Sequence, residues 1–375
     1  MSRRYSKKQI KGLPTPDEVV VSSLSEYVAI FSDDRYKGYL FRGEHSNYSE
    51  IISSALRKFD GSFANGSREY PFIQMKNEFY REVSYKLSEV ERNNFLAFSQ
   101  HHGIPTNLVD FTSSPLVALY FACQPAKNEG VDEERGFVYL LEESFIDITS
   151  LVSKYEDDNL LMLLVKKYDG IVIWFYNALV GYAERYPEKF YGYFKQLIKD
   201  WEYYFKKSDY LFSEIDKFPQ VKEDKDKQII IENAKFIFEE DNKELVKLIG
   251  HQSDSLNFDV LEYVLALQAF LINIVRCTEP IYWLNCIPNF IYRPILEFER
   301  GRNQQGLFIY QAYLSFIESV YQVPVVAQQR IWPDSIIVVE NKGKILKELD
   351  FMGINDKYIY GDYDSIAHYI RNKYK

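Results

Sequence analysis

Three residues that could bind or activate a ligand lie close together near the N-terminus. Residues 40–45 place Arg42, Glu44 and His45 beside Gly43, at the predicted end of a strand. An Arg offers a planar set of donors to phosphate or carboxylate, and a glycine lets another backbone or a ligand come close. An anion-binding Arg at the lip of a cleft is one interpretation, and a salt bridge at a strand end is the other.

A second polar stretch, residues 100–115, carries two histidines, an aspartate and several hydroxyls. Side chains of adjacent helical residues diverge by about 100°, so His101 and His102 are poorly placed to ligate one metal ion together. We therefore predict no metal site. Either histidine is an acid/base candidate, and a hydrogen-bonded structural histidine is the alternative.

Hydroxyls and amides form two further candidate binding groups. Thr112 and Ser113 precede a predicted helix that begins at Ser114-Pro115, and a helix start can hold a phosphate or carboxylate. The alternative is that Ser114 only caps the helix. Gln304 and Gln305 lead into an apolar strand, where an ordinary turn is the alternative. Serine-hydrolase, P-loop and dinucleotide glycine motifs are missing from the sequence.

The elements that must position these residues are predicted from periodicity and capping signals. Helices are predicted over residues 16–31 (with Val19, Leu24 and Val28 inward), 72–87, 94–103, from Ser114, over 344–352 and from about Asp364. Strands are predicted over residues 36–42, 136–141, 307–309, 335–339 and 358–360.

The pattern predicts an α+β fold whose mixed-sheet core is split by a long helical insertion. We divide the chain into a lead-in (1–35), a first part of the core (36–141), the insertion (142–285) and a second part of the core (286–375). The insertion is set apart by its helical pattern and its many Tyr, Phe, Lys and Glu residues. Within it, residues 213–245 carry alternating charge, which is typical of a solvated helix-loop segment.

Composition narrows the class of protein. Apolar residues make up 46% and charged residues 26% of the 375, a globular balance, and the net charge of -9 argues against a general nucleic-acid binder. Three cysteines (Cys123, Cys277, Cys286) form no disulfide framework. The basic N-terminus is not followed by the apolar stretch of a signal peptide, and the apolar run 160–180 is interrupted by charges. We expect a cytoplasmic protein with no membrane partner.

These stretches together resemble the FRG-domain family, named for a Phe-Arg-Gly signature that here reads Phe41-Arg42-Gly43. Residues 100–110 are similar to the family's Gln-His-x-Gly-x-Pro-Thr-x-Leu-x-Asp block, and residues 115–122 to the helix that follows it. Residues 302–308 and 344–366 resemble later family patterns. The resemblance covers about residues 35–140 and 285–370, and Asn107 and Phe111 stand where the family commonly has Arg and Trp.

The same motifs resemble, more distantly, arginine-type ADP-ribosyltransferases, which implies an ADP-ribosyltransferase-like sheet and NAD as cofactor. The resemblance implies that Arg42, with Gly43 beside it, holds the dinucleotide phosphates. It also implies that Thr112 and Ser113 orient the nicotinamide ribose and that Gln304 and Gln305 close the site. The Glu of the third family strand has no counterpart here.

The remaining acid/base candidates are Glu44, His101 and His102. Of these, Glu44 could replace the missing carboxylate by position.

The leading hypothesis is an NAD-binding, ADP-ribosyltransferase-like effector that modifies a nucleic acid or protein in a toxin or phage-defence setting. The alternative is a non-catalytic domain that binds a nucleotide or a partner and signals through the helical insertion. A metal-dependent nuclease is the weakest reading, because no acidic pair at metal-ligand spacing occurs.

Overall fold

The computed structural model describes residues 13–57 (without 33, 47 and 49), 72–125, 134–155, 159–205 (without 167 and 169), 224–238, 247, 256–276, 281–295, 299–317 and 324–374. The strands are β1 (Asp17–Val21), β2 (Leu40–Glu44), β3 (Leu108–Thr112), β4 (Gly136–Leu141), β5 (Phe145–Asp147), β6 (Trp283–Leu284), β7 (Asn289–Tyr292), β8 (Gly306–Tyr310), β9 (Tyr313–Ile317), β10 (Pro324–Gln329) and β11 (Ser335–Val339).

Eight of these strands form one mixed sheet in the order β1-β11-β4-β2-β3-β8-β7-β5. The β1–β11 and β5–β7 pairs are parallel, and the other neighbours are antiparallel. Strands β6, β10 and β9 form a second, three-stranded sheet. The predicted α+β class and the predicted mixed sheet are confirmed.

The α-helices comprise α1 (Leu24–Ile30), α2 (Phe72–Val83), α3 (Glu89–Asn93), α4 (Phe95–His101), α5 (Pro115–Cys123), α6 (Thr149–Tyr155), α7 (Leu160–Val165), α8 (Ile171–Arg185), α9 (Pro187–Phe205), α10 (Asp224–Phe238), α11 (Phe258–Arg276), α12 (Glu299–Asn303), α13 (Lys342–Phe351), α14 (Asp356–Tyr360) and α15 (Tyr363–Lys373). Short 3-10 turns cover Asp34–Tyr36 and Ser84–Lys86.

Helix α5 lies directly on the centre of the large sheet because the strands beneath it carry glycines. A Cβ at Gly43 would lie 1.8 Å from the carbonyl oxygen of Ala118, and one at Gly136 would lie 2.1 Å from that of Ala122. Both distances are far inside van der Waals contact. Any side chain at either position would therefore push the helix off the sheet.

The helices between β5 and β6 pack with strands into one apolar cluster. Side chains of α7, α8, α9 and α11 share it with residues of β7, β8, β9 and β10 and with Leu108 of β3. Helix α11 is long and apolar enough to cross a membrane, and more than half of its apolar stretch is buried inside the protein. That burial is consistent with the core helix of a soluble protein. The division of the chain at residues 142 and 285 stays a prediction.

Two expected elements are wrong. Residues 16–31 form strand β1 and helix α1 instead of one helix, and Val19 and Val28 are 46% and 45% exposed. The β-branched end of β1 pairs with β11, and Ser23 then caps α1 by accepting from the Glu26 amide.

The second wrong element is the strand expected at 358–360, which is part of helix α14. Asn355 caps that helix, and Gly361 ends it at φ 67°. Strand β2 also begins at Leu40, later than expected, because a 3-10 turn occupies Asp34–Tyr36.

The elements with strong local signals are confirmed. These are α2, α4 with Gly103 after it at φ 86°, α5, β4, β8, β11 and α13 followed by Gly353 at φ 88°. Cys123 and Cys286 are buried thiols, while Cys277 and most of residues 206–255 lie outside the described residues.

Candidate functional site

Arg42 and Glu44 form a partly buried ion pair in the middle of the large sheet. Arg42 Nε lies 2.9 Å from Glu44 Oε1, and the two side chains are 15% and 8% exposed. A second guanidinium nitrogen, Nη1, donates to the backbone carbonyl of Asp110 at 2.7 Å. The guanidinium therefore ties β2 to β3 and leaves Nη2 without a hydrogen bond to the described residues.

The pairing of the strands decides which face of the sheet this ion pair occupies. Arg42 is paired with Tyr139 and Glu44 with Phe137, two residues whose rings stack on the face opposite α5. Directly opposed residues of antiparallel strands share a face. The ion pair therefore lies beside these rings, facing away from α5.

Gly43 faces the other way, toward α5. The close approach predicted for this glycine is made by the backbone of Ala118 in α5. On the α5 side of the sheet, the space beside Gly43 is thus filled by the backbone of the helix. The role of the glycine in this structure is to let the helix pack closely on the sheet.

Thr112, Ser113, Gln304 and Gln305 are brought together at the junction of β3, α5 and β8. Thr112 Oγ1 donates to the Gln304 carbonyl at 2.6 Å, and Ser113 Oγ donates to Gln305 Oε1 at 3.2 Å. Gln304 Nε2 donates onward to the carbonyl of Ile359 at 3.2 Å. These contacts join the end of β3, the residues just before β8 and helix α14.

This group does not face Arg42. Thr112 is paired with Phe41, which packs on the α5 side of the sheet. Since Arg42 is the next residue along β2, its side chain leaves on the opposite face. Phe41 and Thr112 are also the whole of the β2–β3 ladder, so beyond that pair the two strands are joined by the side chain of Arg42.

Hydrogen bonds within the protein hold the start of α5 in place. Ser114 caps the helix by accepting from the Val117 amide, as predicted, and Tyr27 Oη donates to the Pro115 carbonyl at 2.7 Å. Thr112 Oγ1 also accepts from the amide of Ser114 at 2.9 Å.

His101 and His102 end helix α4 and line a small cavity of about 140 Å³ together with Glu91. His102 packs on Phe98, with ring centroids 4.4 Å apart. Burial, and then the neighbouring His102 and Arg300, lower the pKa of His101, so the neutral imidazole is favoured at neutral pH. A neutral imidazole can accept a proton, which keeps His101 chemically competent as a base.

Other residues of the 100–110 stretch make structural contacts around the strands. Gln100 Nε2 donates to Asp110 Oδ1 at 2.9 Å, and Thr106 Oγ1 donates to Gln100 Oε1. Asn107 is 1% exposed and its Nδ2 donates to the Gln311 carbonyl at 3.1 Å. The polar residues of this block therefore fix the entry into β3.

Sequence reasoning missed two partners of His45, the residue that follows Glu44. Lys342, 7% exposed, donates from Nζ to the carbonyl of His45 at 2.9 Å, and Tyr48 Oη lies 3.2 Å from His45 Nε2. The spacing of Tyr48 from His45 was visible in the sequence, but Lys342 lies 297 positions away and carries no local signal. Among the described residues, no group of three or more His, Cys, Asp or Glu could hold a metal ion.

Comparison with known proteins identifies the segment that carries this geometry. Residues 37–130 match the family model of the FRG domain, so the chain contains an FRG domain. The match spans β2 to α5 and includes Arg42, Glu44, both histidines of α4 and the Thr112-Ser113 pair, while Gln304 and Gln305 lie beyond it. No curated protein and no solved structure matches the chain.

Proposed function

We propose that the protein is an NAD-binding, ADP-ribosyltransferase-like effector whose reactive centre is the Arg42–Glu44 pair. The observation that carries the proposal is the 2.9 Å contact between the two side chains on one face of the sheet. It places a carboxylate beside the arginine, and a carboxylate is what the third strand of the resemblance lacks.

Each member of the pair has a role suited to its chemistry. Arg42 retains Nη2 as a donor, and one nitrogen of a guanidinium can hold a phosphate oxygen or a ribose hydroxyl. NAD itself would supply the reactive bond between ribose C1′ and the nicotinamide nitrogen. That bond breaks with its electron pair leaving on nicotinamide, and the C1′ then bonds to the acceptor nucleophile.

Positive charge develops on the ribose as nicotinamide leaves, and Glu44 stabilises that charge. A carboxylate fixed at 7% exposure acts in a medium of low dielectric, where such an interaction is strong. His101 is the proposed base for the acceptor proton. Thr112, Ser113, Gln304 and Gln305 support the site indirectly by holding β3 against β8.

A non-catalytic role is the second candidate, favoured by a separate observation. Arg42 already bonds Glu44 and the Asp110 carbonyl, and both hydroxyls of Thr112 and Ser113 bond to the protein. Groups satisfied in this way stabilise a scaffold, and the FRG domain would then bind a nucleotide or a partner without chemistry.

Glu44→Gln separates the two candidates. The amide keeps a hydrogen bond to Arg42 and removes only the negative charge. If Glu44 stabilises the transition state, release of free nicotinamide from NAD should fall by about 100- to 1000-fold while NAD affinity by calorimetry changes little. Glu188→Gln, an exposed carboxylate of α9, is the matched control. Binding of NAD without nicotinamide release by the wild-type protein would establish the non-catalytic role.

Arg42 needs a different variant, because its removal takes the guanidinium away from the buried Glu44 carboxylate. Arg42→Ala should lower the free energy of unfolding by about 3–5 kcal/mol for that reason. The double variant Arg42→Ala/Glu44→Ala leaves no such charge. It should recover most of that stability but remain inactive with NAD. Recovery of activity together with stability would show that the pair only holds the fold.

The acceptor is identified by incubating the protein with labelled NAD and cell lysate. We propose a cytoplasmic acceptor, a nucleic acid or a protein, as toxin and phage-defence effectors would require. Label that is lost on nuclease treatment indicates a nucleic acid, and label lost on protease treatment indicates a protein. Label that stays only in free nicotinamide and ADP-ribose would contradict the transferase proposal.

A further inference from the structure

A cavity of about 300 Å³ lies between helices α2, α3, α4 and α6 and strand β7. It shares no described residue with the Arg42–Glu44 pair or with the junction of β3 and β8. Its volume is at the lower end of the range typical of small-molecule sites. The described residues that line it are Lys76, Asn77, Tyr80, Arg92, Asn93, Phe95, Leu96, Val152, Ser153 and Tyr292.

The charge of the lining is one-sided. Two cations, Lys76 and Arg92, line the cavity, and the described lining residues include no carboxylate. This contrasts with a protein whose net charge is -9. A cluster of positive charge in an acidic protein attracts anions to that place specifically.

Lys76 is the more unusual of the two cations. It lies on the inward side of α2, one turn after Phe72, and only 8% of it is exposed. Lysines are rarely buried to this extent, because desolvating an ammonium group is costly. Lys76 thus places a positive charge at the wall of the cavity.

Arg92 adds a directional donor set at the same cavity. Its Nη2 donates to the Ser84 carbonyl at 3.0 Å, which fixes the guanidinium and leaves Nη1 and Nε unused among the described residues. The side-chain amides of Asn77 and Asn93 likewise make no hydrogen bond to described residues. Charged and amide donors of this kind suit an oxygen-rich anion.

Aromatic side chains form another part of the wall. Tyr80 and Phe95 contact each other edge to face, with ring centroids 4.8 Å apart, and Tyr80 is 40% exposed. Tyr292, which is fully buried, also lines the cavity. Rings beside cationic donors can hold the apolar or planar part of a ligand while the donors hold its charge.

We propose that this cavity binds a small organic anion, of the size of a sugar phosphate or a mononucleotide, through Lys76 and Arg92. The anionic group lies between the two cations, and the rest of the molecule lies against Tyr80 and Phe95. The site is independent of the NAD proposal and can be tested whether or not that proposal holds.

Calorimetric titration of the full chain with ribose 5-phosphate, AMP, citrate and adenosine tests the site. At least one of the three anions should bind, and uncharged adenosine should bind much more weakly. Preference for AMP over ribose 5-phosphate would assign a base to the ring wall, and preference for citrate would assign a carboxylate ligand.

Two variants and one control locate the binding. Arg92→Gln changes an exposed side chain and should raise the Kd of the anion by about tenfold or more, as expected for a lost charge-assisted contact. Lys76→Gln should weaken it at least as much. Arg81→Gln, on the same helix α2 but outside the cavity, should leave the Kd unchanged, as should Glu44→Gln.

The proposal is overturned if none of the three anions binds. It is equally overturned if Arg92→Gln and Arg81→Gln weaken binding to the same extent. Should Lys76→Gln fail to fold, the contrast between the two arginine variants decides the matter alone.

Discussion

The FRG segment (37–130) and the helical region (149–276) of the same protein use opposite means to hold their side chains. Buried polar residues are common in the described part of the FRG segment: Glu44, Ser46, Ser53, Lys76, Asn94, Ser99, Thr106, Asn107 and Thr112. In the described part of the helical region the buried polar residue is Gln268. The large, fully buried aromatic rings are distributed the other way, with Tyr120 in the first and six rings in the second.

This difference shows which part of the molecule depends on precise geometry. Rings packed between helices tolerate small shifts, since dispersion and burial have no fixed direction. Hydrogen bonds such as those of Asn107 and Thr112 require a set distance and angle, so they fix the strand that carries Asp110. The directional contacts are thus concentrated in the FRG segment, where they fix the strand whose Asp110 carbonyl accepts from Arg42.

The largest expected effect comes from a substitution at Gly43, where the FRG segment packs most tightly. In Gly43→Ala the new Cβ would lie 1.8 Å from the Ala118 carbonyl oxygen, so α5 cannot stay on the sheet. We expect loss of soluble, cooperatively folding protein, measured by expression and thermal melting. Gly192→Ala in α9 is the control, because its Cβ meets nothing within 4 Å. An alanine in a helix should raise the free energy of unfolding by as much as about 1 kcal/mol. A Gly43→Ala protein that melts like wild type would contradict the packing argument.

A smaller effect probes the ring core of the helical region. Phe270 is 1% exposed and contacts the rings of Trp201 and Phe205. Phe270→Ala should lower the free energy of unfolding by about 3–5 kcal/mol in urea denaturation. Tyr203→Ala, at a residue 78% exposed, should change it little. If the two regions divide their tasks as argued, NAD and anion binding by the folded fraction should remain unchanged in Phe270→Ala.

A pH-dependent effect of similar or smaller size also belongs to the helical region. Burial, and then Asp259 and Asp226, raise the pKa of Glu262 from its ordinary value of 4.5 to about 7. The folded state then holds the proton more tightly than the unfolded state. Stability from this group is full below about pH 4.5 and is lost as the pH rises to about 7.

The loss in the free energy of unfolding caused by ionised Glu262 can reach about 3 kcal/mol. Glu262→Gln should therefore be more stable than wild type at pH 8, and the difference should vanish near pH 4.5. Denaturant titrations at both pH values measure this, with the exposed Glu202→Gln as control. A variant less stable than wild type at pH 8 would reverse the sign and refute the assignment.

The smallest effect compares the two regions with one matched change. Ser114 caps α5 in the FRG segment, and Asn159 caps α7 by accepting from the Met162 amide at 3.1 Å. Each change to Ala should cost about 1 kcal/mol of unfolding free energy. A much larger loss for Ser114→Ala, measured in the same denaturation series, would show that the helix start supports the surrounding polar contacts as well.

Local signals made much of the fold predictable, and long-range pairing explains the failures. Ser114-Pro115 predicted α5 because capping depends on neighbouring residues alone. Strand β1 could not be recognised, since its Val-rich end becomes a strand by pairing with β11, more than 300 residues later. The alternation Tyr-Ile-Tyr at 358–360 suggested a strand, while the caps Asn355 and Gly361 determine a helix.

The candidate site was predictable in residue type and not in arrangement. Alternation along β2 already places Arg42 and Glu44 on one face. The face taken by Thr112 depends on its pairing with Phe41 across the sheet, which no spacing within either strand reveals. For the same reason, Lys342 beside His45 left no trace in the sequence.

The strand order of the large sheet has a consequence for how the protein is made. Strand β3 shares one residue pair with β2 but five with β8, and its Leu108 is paired with Tyr310, 202 positions later (310 − 108). At typical rates of synthesis, the ribosome needs roughly 10 to 40 s to cover that distance. Until β8 emerges, the carbonyl of Asp110 that holds Arg42 has no fixed position. A nascent chain that ends before β8 therefore carries the motifs of the FRG segment without the geometry that would make them act.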